Sequence, residues 1–331
     1  MKRLAIALAA SAVMFTGSAL AADVTLKVAH GAPETMHMHK AWEKFKELVE
    51  TRTEGDIEVE IYPAGQLGEG RELLEFVQMG EIDLNAEAVG VLSGWDDRFA
   101  ATELPYTFAN RDIARKVFDG EYGDWLAQEM EPIGFKSLGW WEIGIRHLTN
   151  SKKAVYTPED VDGLKLRTMQ VDAHIKAWDQ LGANPTPMAS GEVYSALQQG
   201  IIDAQENPLG NIQSMRTHEV NKYISLTNHV YSAYAVVMNP DKFNSLSEEH
   251  QKIVADAISE ASDYQQQIIR TEEPKLVDWF RSQGNEVNEL SAEQMAVFQN
   301  EIKALKPDFE RMVGADTYKR LMDAVAKAEA S

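Results

Sequence analysis

Twice along this chain the hydrophobic pattern runs strand, helix, strand, helix, strand, and that order limits the fold more than any composition figure. In the first run, Val24–His30 and Ile57–Pro63 read as strands and Ile82–Ala88 enters a third. Between them lie helical stretches at His39–Thr51, with Trp42, Phe45, Leu48 and Val49 on one side, and at Gly68–Gly80, closed by glycine. The second run places strands at Asp162–Met169, Pro185–Met188 and Ile201–Pro208, with helices at Val171–Gly182 and Ser190–Gly200. Strands joined through helices predict parallel sheet covered by helices, an α/β fold. Two such units predict two lobes. No low-complexity linker separates them, so the chain is expected to cross between lobes more than once. The last third is mostly helical: it starts at the capping sequence Ser245-Leu246-Ser247-Glu248 and runs towards Gly284, with a break expected at Pro274. A short strand is expected at Val287–Leu290, followed by two helices in which Met295, Phe298, Ile302 and Leu305 keep helical spacing.

The N-terminus reads as an export signal. Lys2 and Arg3 precede a short apolar run, Leu4–Phe15, and Ala19-Leu20-Ala21 fits the small-x-small cleavage rule, so cleavage is expected after Ala21 and a periplasmic location follows. The run is shorter than the roughly 20 apolar residues of a membrane span. The chain has no cysteine, so an exported product of about 310 residues must rest on a packed core and not on disulfides. Formal charge is −20, or −22 without Lys2 and Arg3. Such acidity argues against nucleic acid and anionic membrane as partners, and direct membrane insertion is not expected. An anionic ligand would be repelled unless cations were concentrated in one cleft.

Catalytic signatures are missing. There is no GxSxG elbow, no cysteine nucleophile, and the glycines of AGQLGEGRE lack the Lys-Ser/Thr of a phosphate loop. His30, His37 and His39 lack the spacing and partners of a zinc shell, so neither metal nor cofactor is expected. Glu87, Glu142 and Glu206 leave a glycosidase-like carboxylate pair open.

Arginine carries the signal. In GLKLRTMQ, Gly163–Gln170, apolar Leu164 and Leu166 alternate with Lys165 and Arg167. Arg146 stands beside Glu142, Trp140 and Trp141 in WWEIGIRHLTN, and Asn207 closes the QENP strand. Strand ends in open α/β sheets are where small ligands bind, and an arginine fork meets a carboxylate through two parallel hydrogen bonds. The plain alternative is a surface ion pair.

The order of these pieces resembles the solute-binding proteins of tripartite ATP-independent periplasmic (TRAP) transporters, the DctP-type family. The likeness is carried by LKLRTMQVDAHIKAWDQLGANPTPM, EVYSALQQG and QENP, and extends to YPAGQLGEGRELLE, GIRHLTNSKK and YISLTNHVY; Ala204 stands where the family commonly has glycine. The resemblance implies a two-lobed periplasmic binding protein fold, each lobe a mostly parallel sheet flanked by helices, with a long interlobe helix. Lobe I would span 22–147, completed by about 232–265, and lobe II 148–231, completed by about 266–331, after the signal peptide 1–21. It implies no enzymatic activity, and permease partners of the small and large membrane subunit types (DctQ- and DctM-type). Arg167 would bind the ligand carboxylate, Arg146 would add a second contact, and Asn207 would hydrogen-bond the same end. His30 and Glu87 would meet the rest of the ligand.

Selectivity then depends on the far end of the ligand. Glu87, Glu142, Gln170 and His30 are candidates for hydroxyl contacts, and Trp140, Trp141 and Trp178 are either sugar-facing platforms or core. No second cation offers itself, since Lys165 should point beside Arg167 and Arg71 belongs to a surface helix. A sugar acid such as D-glucuronate or D-galacturonate is therefore expected before a C4-dicarboxylate, keto acid or aromatic acid. A periplasmic lyase or glycosidase, or a sensory or structural protein on the same fold, are the other readings.

Overall fold

The computed structural model describes residues 22–331, and the export-signal reading of residues 1–21 lies outside the described residues. Strands β1 (Val24–Ala29), β2 (Ile57–Tyr62) and β3 (Leu84–Ala88) alternate with helices α1 (His37–Arg52) and α2 (Arg71–Met79), as the first run predicts. After α3 (Arg111–Phe118) and α4 (Glu121–Gln128) comes the long strand β4 (Lys136–Asn150). The second run supplies β5 (Lys165–Thr168), α5 (Asp172–Gln180), β6 (Asn184–Pro187), α6 (Val193–Gln198), β7 (Ala204–Asn207) and α7 (Leu209–Ser214). Another long strand, β8 (Tyr223–Met238), leads through α8 (Pro240–Ser245) into α9 (Glu248–Ser282). Strand β9 (Glu286–Glu289) and helices α10 (Ala292–Lys303), α11 (Lys306–Val313) and α12 (Ala315–Glu329) follow.

All nine strands form one sheet in the order β2-β1-β3-β8-β4-β7-β5-β6, with β9 also paired to β8. The strands of each run pair in parallel: β1 with β2 and β3, and β5 with β6 and β7. Between these two parallel groups, β8 and β4 pair antiparallel with each other and with β3 and β7 respectively. The sequence pattern did not reveal β4 and β8 as strands. Both are buried over most of their length, so the alternation that betrays a one-sided strand is missing.

The β4–β8 ladder is not regular. Its register shifts at Ser137/Gly139, Glu142/Gly144 and Arg146/Leu148. At the last of these the partner jumps from Val230 to Ser225, and Asn228 inside the looped-out segment takes a left-handed backbone, φ 45°. Gly144 has φ 125°, and a Cβ there would stand 3.0 Å from the Pro208 ring, so both conformation and space demand glycine.

One apolar core extends beneath both parallel groups, from Leu26 and Trp42 through Trp141 to Trp178 and Leu181. Helix α9, at 35 residues, is about 50 Å long and packs on α1 and β4 as well as on α7 and β9. It runs through Pro274, where a break was expected. That residue is on the exposed side, where water can satisfy the carbonyl its missing N–H leaves free.

Candidate ligand cleft

A cleft opens at the carboxyl ends of β1, β3, β5 and β7, where an open α/β sheet is suited to hold a ligand. Its non-atom space, mouth included, is about 950 Å³. Both runs contribute to its wall, and Arg146 from β4 and Tyr234 from β8 complete it.

Arg167 lies on β5 with 3% of its surface exposed and lines this cleft. The neighbouring Lys165 instead points out, donating to the Gly200 carbonyl at 2.6 Å. The Arg167 Nε and Nη2 both donate to the Met188 carbonyl, at 2.9 and 2.6 Å, which fixes the plane of the guanidinium. Among the described residues no carboxylate comes within ion-pair distance of it. Burial, reinforced by the like charge of Arg146, pushes its pKa down to about 10, so the group remains a cation at neutral pH. The edge formed by Nη1 and the second Nη2 proton makes no hydrogen bond among the described residues.

Arg146 also lines the cleft, but its charge is matched from within. It donates from Nε to Glu206 Oε2 at 2.5 Å, and from Nη2 to Oε1 at 2.8 Å and to the Glu206 carbonyl at 2.6 Å. The pair is fully buried, 1% and 0% exposed. Burial alone would raise the Glu206 carboxyl. Arg146 and the hydrogen bond from His229 Nε2, at 2.9 Å, outweigh it and hold the group well below the usual carboxylate range. His174 adds its ring, 3.8 Å from Glu206 Oε1 and 3.2 Å from Glu103 Oε2.

Asn207 closes β7 at the cleft wall. Its Nδ2 donates to Gln205 Oε1 at 2.6 Å, leaving the other amide proton without a partner among the described residues, and its Oδ1 accepts from Asn211 at 3.4 Å. Gln170 lines the cleft and faces Gly70, where a Cβ would lie 3.2 Å from its Oε1. Glu87 on β3 reaches the same space, and its carboxylate accepts from the adjacent Ala88 N–H at 3.0 Å. Burial pushes its pKa up to about 7, against the help of that N–H.

The structure thus brings Arg167, Arg146, Asn207, Gln170 and Glu87 to one cavity. It places His30 and Trp141 elsewhere. His30 is fully buried behind the wall, with Nε2 3.1 Å from His39 Nδ1, and burial holds its pKa down near 3; only the following Gly31 reaches the cleft. Trp141 packs on Trp42 at 4.6 Å and donates to the Ile258 carbonyl at 3.1 Å, because its side of β4 faces the α1–α9 layer. Trp140 and Trp178 are buried too. Glu142 pairs with Arg111 at 2.5 Å, so neither Glu142 nor Glu206 is free for acid–base work. Among the described residues no three His, Asp or Glu side chains stand where they could share a metal ion.

Sequence reasoning overlooked Tyr234 and Asn211. Tyr234 comes from β8, which was not recognised as a strand. Asn211 lies four residues beyond Asn207 at the start of α7, so helical spacing from QENP would have pointed to it.

Comparison with known proteins identifies the family. The model of bacterial extracellular solute-binding protein family 7, DctP, matches residues 28–312. The 2,3-diketo-L-gulonate-binding periplasmic protein YiaO of Escherichia coli is 36% identical over 273 residues, 82% of this chain and 83% of that protein. The sugar acid binding protein DctPAm of Advenella mimigardefordensis, solved with galactonate, superposes with a TM-score of 0.90 at 27% identity, covering 92% of this chain and 98% of that one. A TRAP periplasmic solute-binding protein of Sulfurospirillum deleyianum, solved with succinate, gives 0.87 at 29% identity over 91% and 98%. The chain belongs to the DctP family of TRAP transporter solute-binding proteins.

Proposed function

We propose that this chain is the exported receptor of a TRAP transporter, which captures one small organic acid in the cleft and delivers it to membrane permease subunits of the small and large types. The observation that carries this reading is Arg167: a buried guanidinium, held in plane by Met188, with no carboxylate partner among the described residues. Such a cation is unfavourable by itself, and a ligand carboxylate would relieve it. Asn207 and the rim of Arg146 would support the same carboxylate.

The acid we favour is a monocarboxylate rich in hydroxyls, a sugar acid such as D-glucuronate or D-galacturonate. Glu206 already matches the charge of Arg146, so among the described residues of the wall Arg167 is the cation left without a close counter-ion. Glu87 and Gln170 suit hydroxyl groups better than a second carboxylate. Relatives of similar fold bind both galactonate and succinate, so the fold does not choose between these classes. In this reading the chain works as two lobes, 22–147 and 148–231 with their C-terminal completions, closing on the ligand. A glycosidase of the two-carboxyl kind would need a free pair, and the Arg111–Glu142 and Arg146–Glu206 ion pairs leave only Glu87 of the three candidates.

The test is a thermal-shift screen of the exported chain against uronates, aldonates, C4-dicarboxylates, keto acids and amino acids. A ligand at a hundred times its Kd adds about 2.7 kcal/mol of stability. Stabilisation by hydroxylated monocarboxylates that Arg167→Ala abolishes supports the reading. Turnover of any ligand would favour an enzyme.

A further inference from the structure

We propose that Glu69 and the backbone of Gly191 form a latch that keeps the cleft closed over its ligand and sets how slowly the ligand leaves. The proposal rests on the cleft being a carboxylate receptor. Glu69 stands in the loop before α2. Gly191 belongs to the single 3-10 turn Ser190–Glu192 that leads into α6, 122 residues further on. They come from the two different strand–helix runs. The Glu69 Oε2 accepts the Gly191 N–H at 2.6 Å, a short bond of the charge-assisted kind.

The surroundings are shaped to fit this carboxylate. A Cβ on Gly65 would lie 2.6 Å from Glu69 Oε1, and one on Gly31 would lie 3.4 Å from both the Glu69 Cγ and the Ser190 Oγ. Gly191 itself does not have a left-handed backbone, so its φ does not require glycine. What requires it is space, because a Cβ there would overlap the Glu69 carboxylate. Gly31, Gly70, Ser190 and Gly191 all line the cleft, so the bond ties its two walls together beside the ligand space. A bond between the walls exists only while they are together. It must break for a ligand to leave, and it is absent when one enters, so its effect falls on koff and not on kon.

The absence of cysteine allows a direct test. Met79, at the end of α2, and Ile201, before β7, are exposed, 63% and 57%, and belong to the two different runs, so a Met79→Cys, Ile201→Cys background carries a fluorophore pair that reads the separation between them. Stopped-flow binding and release are measured with D-galactonate, D-glucuronate and succinate as probes. Glu69→Ala is expected to raise koff about tenfold, for one charge-assisted bond at a solvent-facing rim, with kon within about twofold. Gly191→Ala should do the same, and the double variant should be no worse than either single one. Glu69→Gln, which keeps an acceptor, should fall between. Melting temperatures without ligand should stay close to the parent's. Unchanged koff in Glu69→Ala, or additive effects in the double variant, would overturn the latch. Should no probe bind, or Arg167→Ala bind like the parent, the receptor reading fails instead. The latch, which rests on that reading, falls with it.

Discussion

Replacing Arg167 with methionine separates a ligand-binding cation from a structural one. In the protein alone two effects oppose each other. The fall in its pKa from 12.5 to about 10 corresponds to about 3 kcal/mol of unfavourable confinement of the charge, which methionine removes. Against this, the Met188 carbonyl loses both its donors, at about 1–3 kcal/mol. The unliganded variant should therefore unfold in urea within about 2 kcal/mol of wild type, on the stabilising side. Binding behaves differently. A carboxylate fork of two charge-assisted hydrogen bonds contributes about 3–6 kcal/mol, so Arg167→Met should weaken the bound acid by about 10² to 10⁴-fold in calorimetry. Arg167→Lys should recover only part, because an ammonium cannot hold the Met188 carbonyl and both carboxylate oxygens at once. A variant that loses several kcal/mol of stability while binding normally would show the guanidinium to be structural and would refute the reasoning.

Three further outcomes are expected. Glu206→Gln removes the counter-charge of a buried arginine and should lower stability by about 3–5 kcal/mol in urea titration, unlike any Arg167 change. For Glu87, whose pKa is raised from 4.5 to about 7, the carboxyl is protonated in both states below about pH 4.5, and only the unfolded chain releases its proton just above that. Wild type should therefore lose stability relative to Glu87→Gln as pH rises from about 4.5 to 7, by at most about 3 kcal/mol since the cleft admits water, and the difference should level off above pH 7. Trp141→Ala should cost about 3–5 kcal/mol of stability as a core truncation, yet leave the affinity of the folded protein within about twofold.

The sequence made Arg167 conspicuous because a two-residue period put it opposite Leu164 and Leu166 on a short strand, a placement local enough to read. The burial of that face was not legible. Lys165 and Arg167 look equivalent on paper, but one is exposed and the other is 3% exposed, since β5 sits between β6 and β7 and its last residues run under the Met188 loop. The role of Arg146 was legible only in part. Its position in the cleft followed from the motif, whereas its neutralisation by Glu206 depends on β4 and β7 pairing across 60 residues. Trp141 and His30 misled for the same reason: adjacent residues on a strand face opposite sides, and one-sided hydrophobicity cannot say which side is cleft when both are buried. The parallel groups were readable from their helical crossovers. The two strands that join them were not, because nothing local distinguishes a doubly buried antiparallel strand from other apolar sequence.

Those two strands set how the molecule can flex. Because β4 and β8 continue without interruption from one parallel group to the other, the described residues include no separate tether in the sheet at which the ends could swing independently. Any twist between them has to be absorbed inside the ladder, at its irregular rungs around Gly144, Asn228 and the Arg146/Leu148 step. Arg146 is itself one of those rungs. A flexing of the sheet is therefore felt at the cleft as a displacement of its own wall, and a guest pressing on that wall strains the sheet in return.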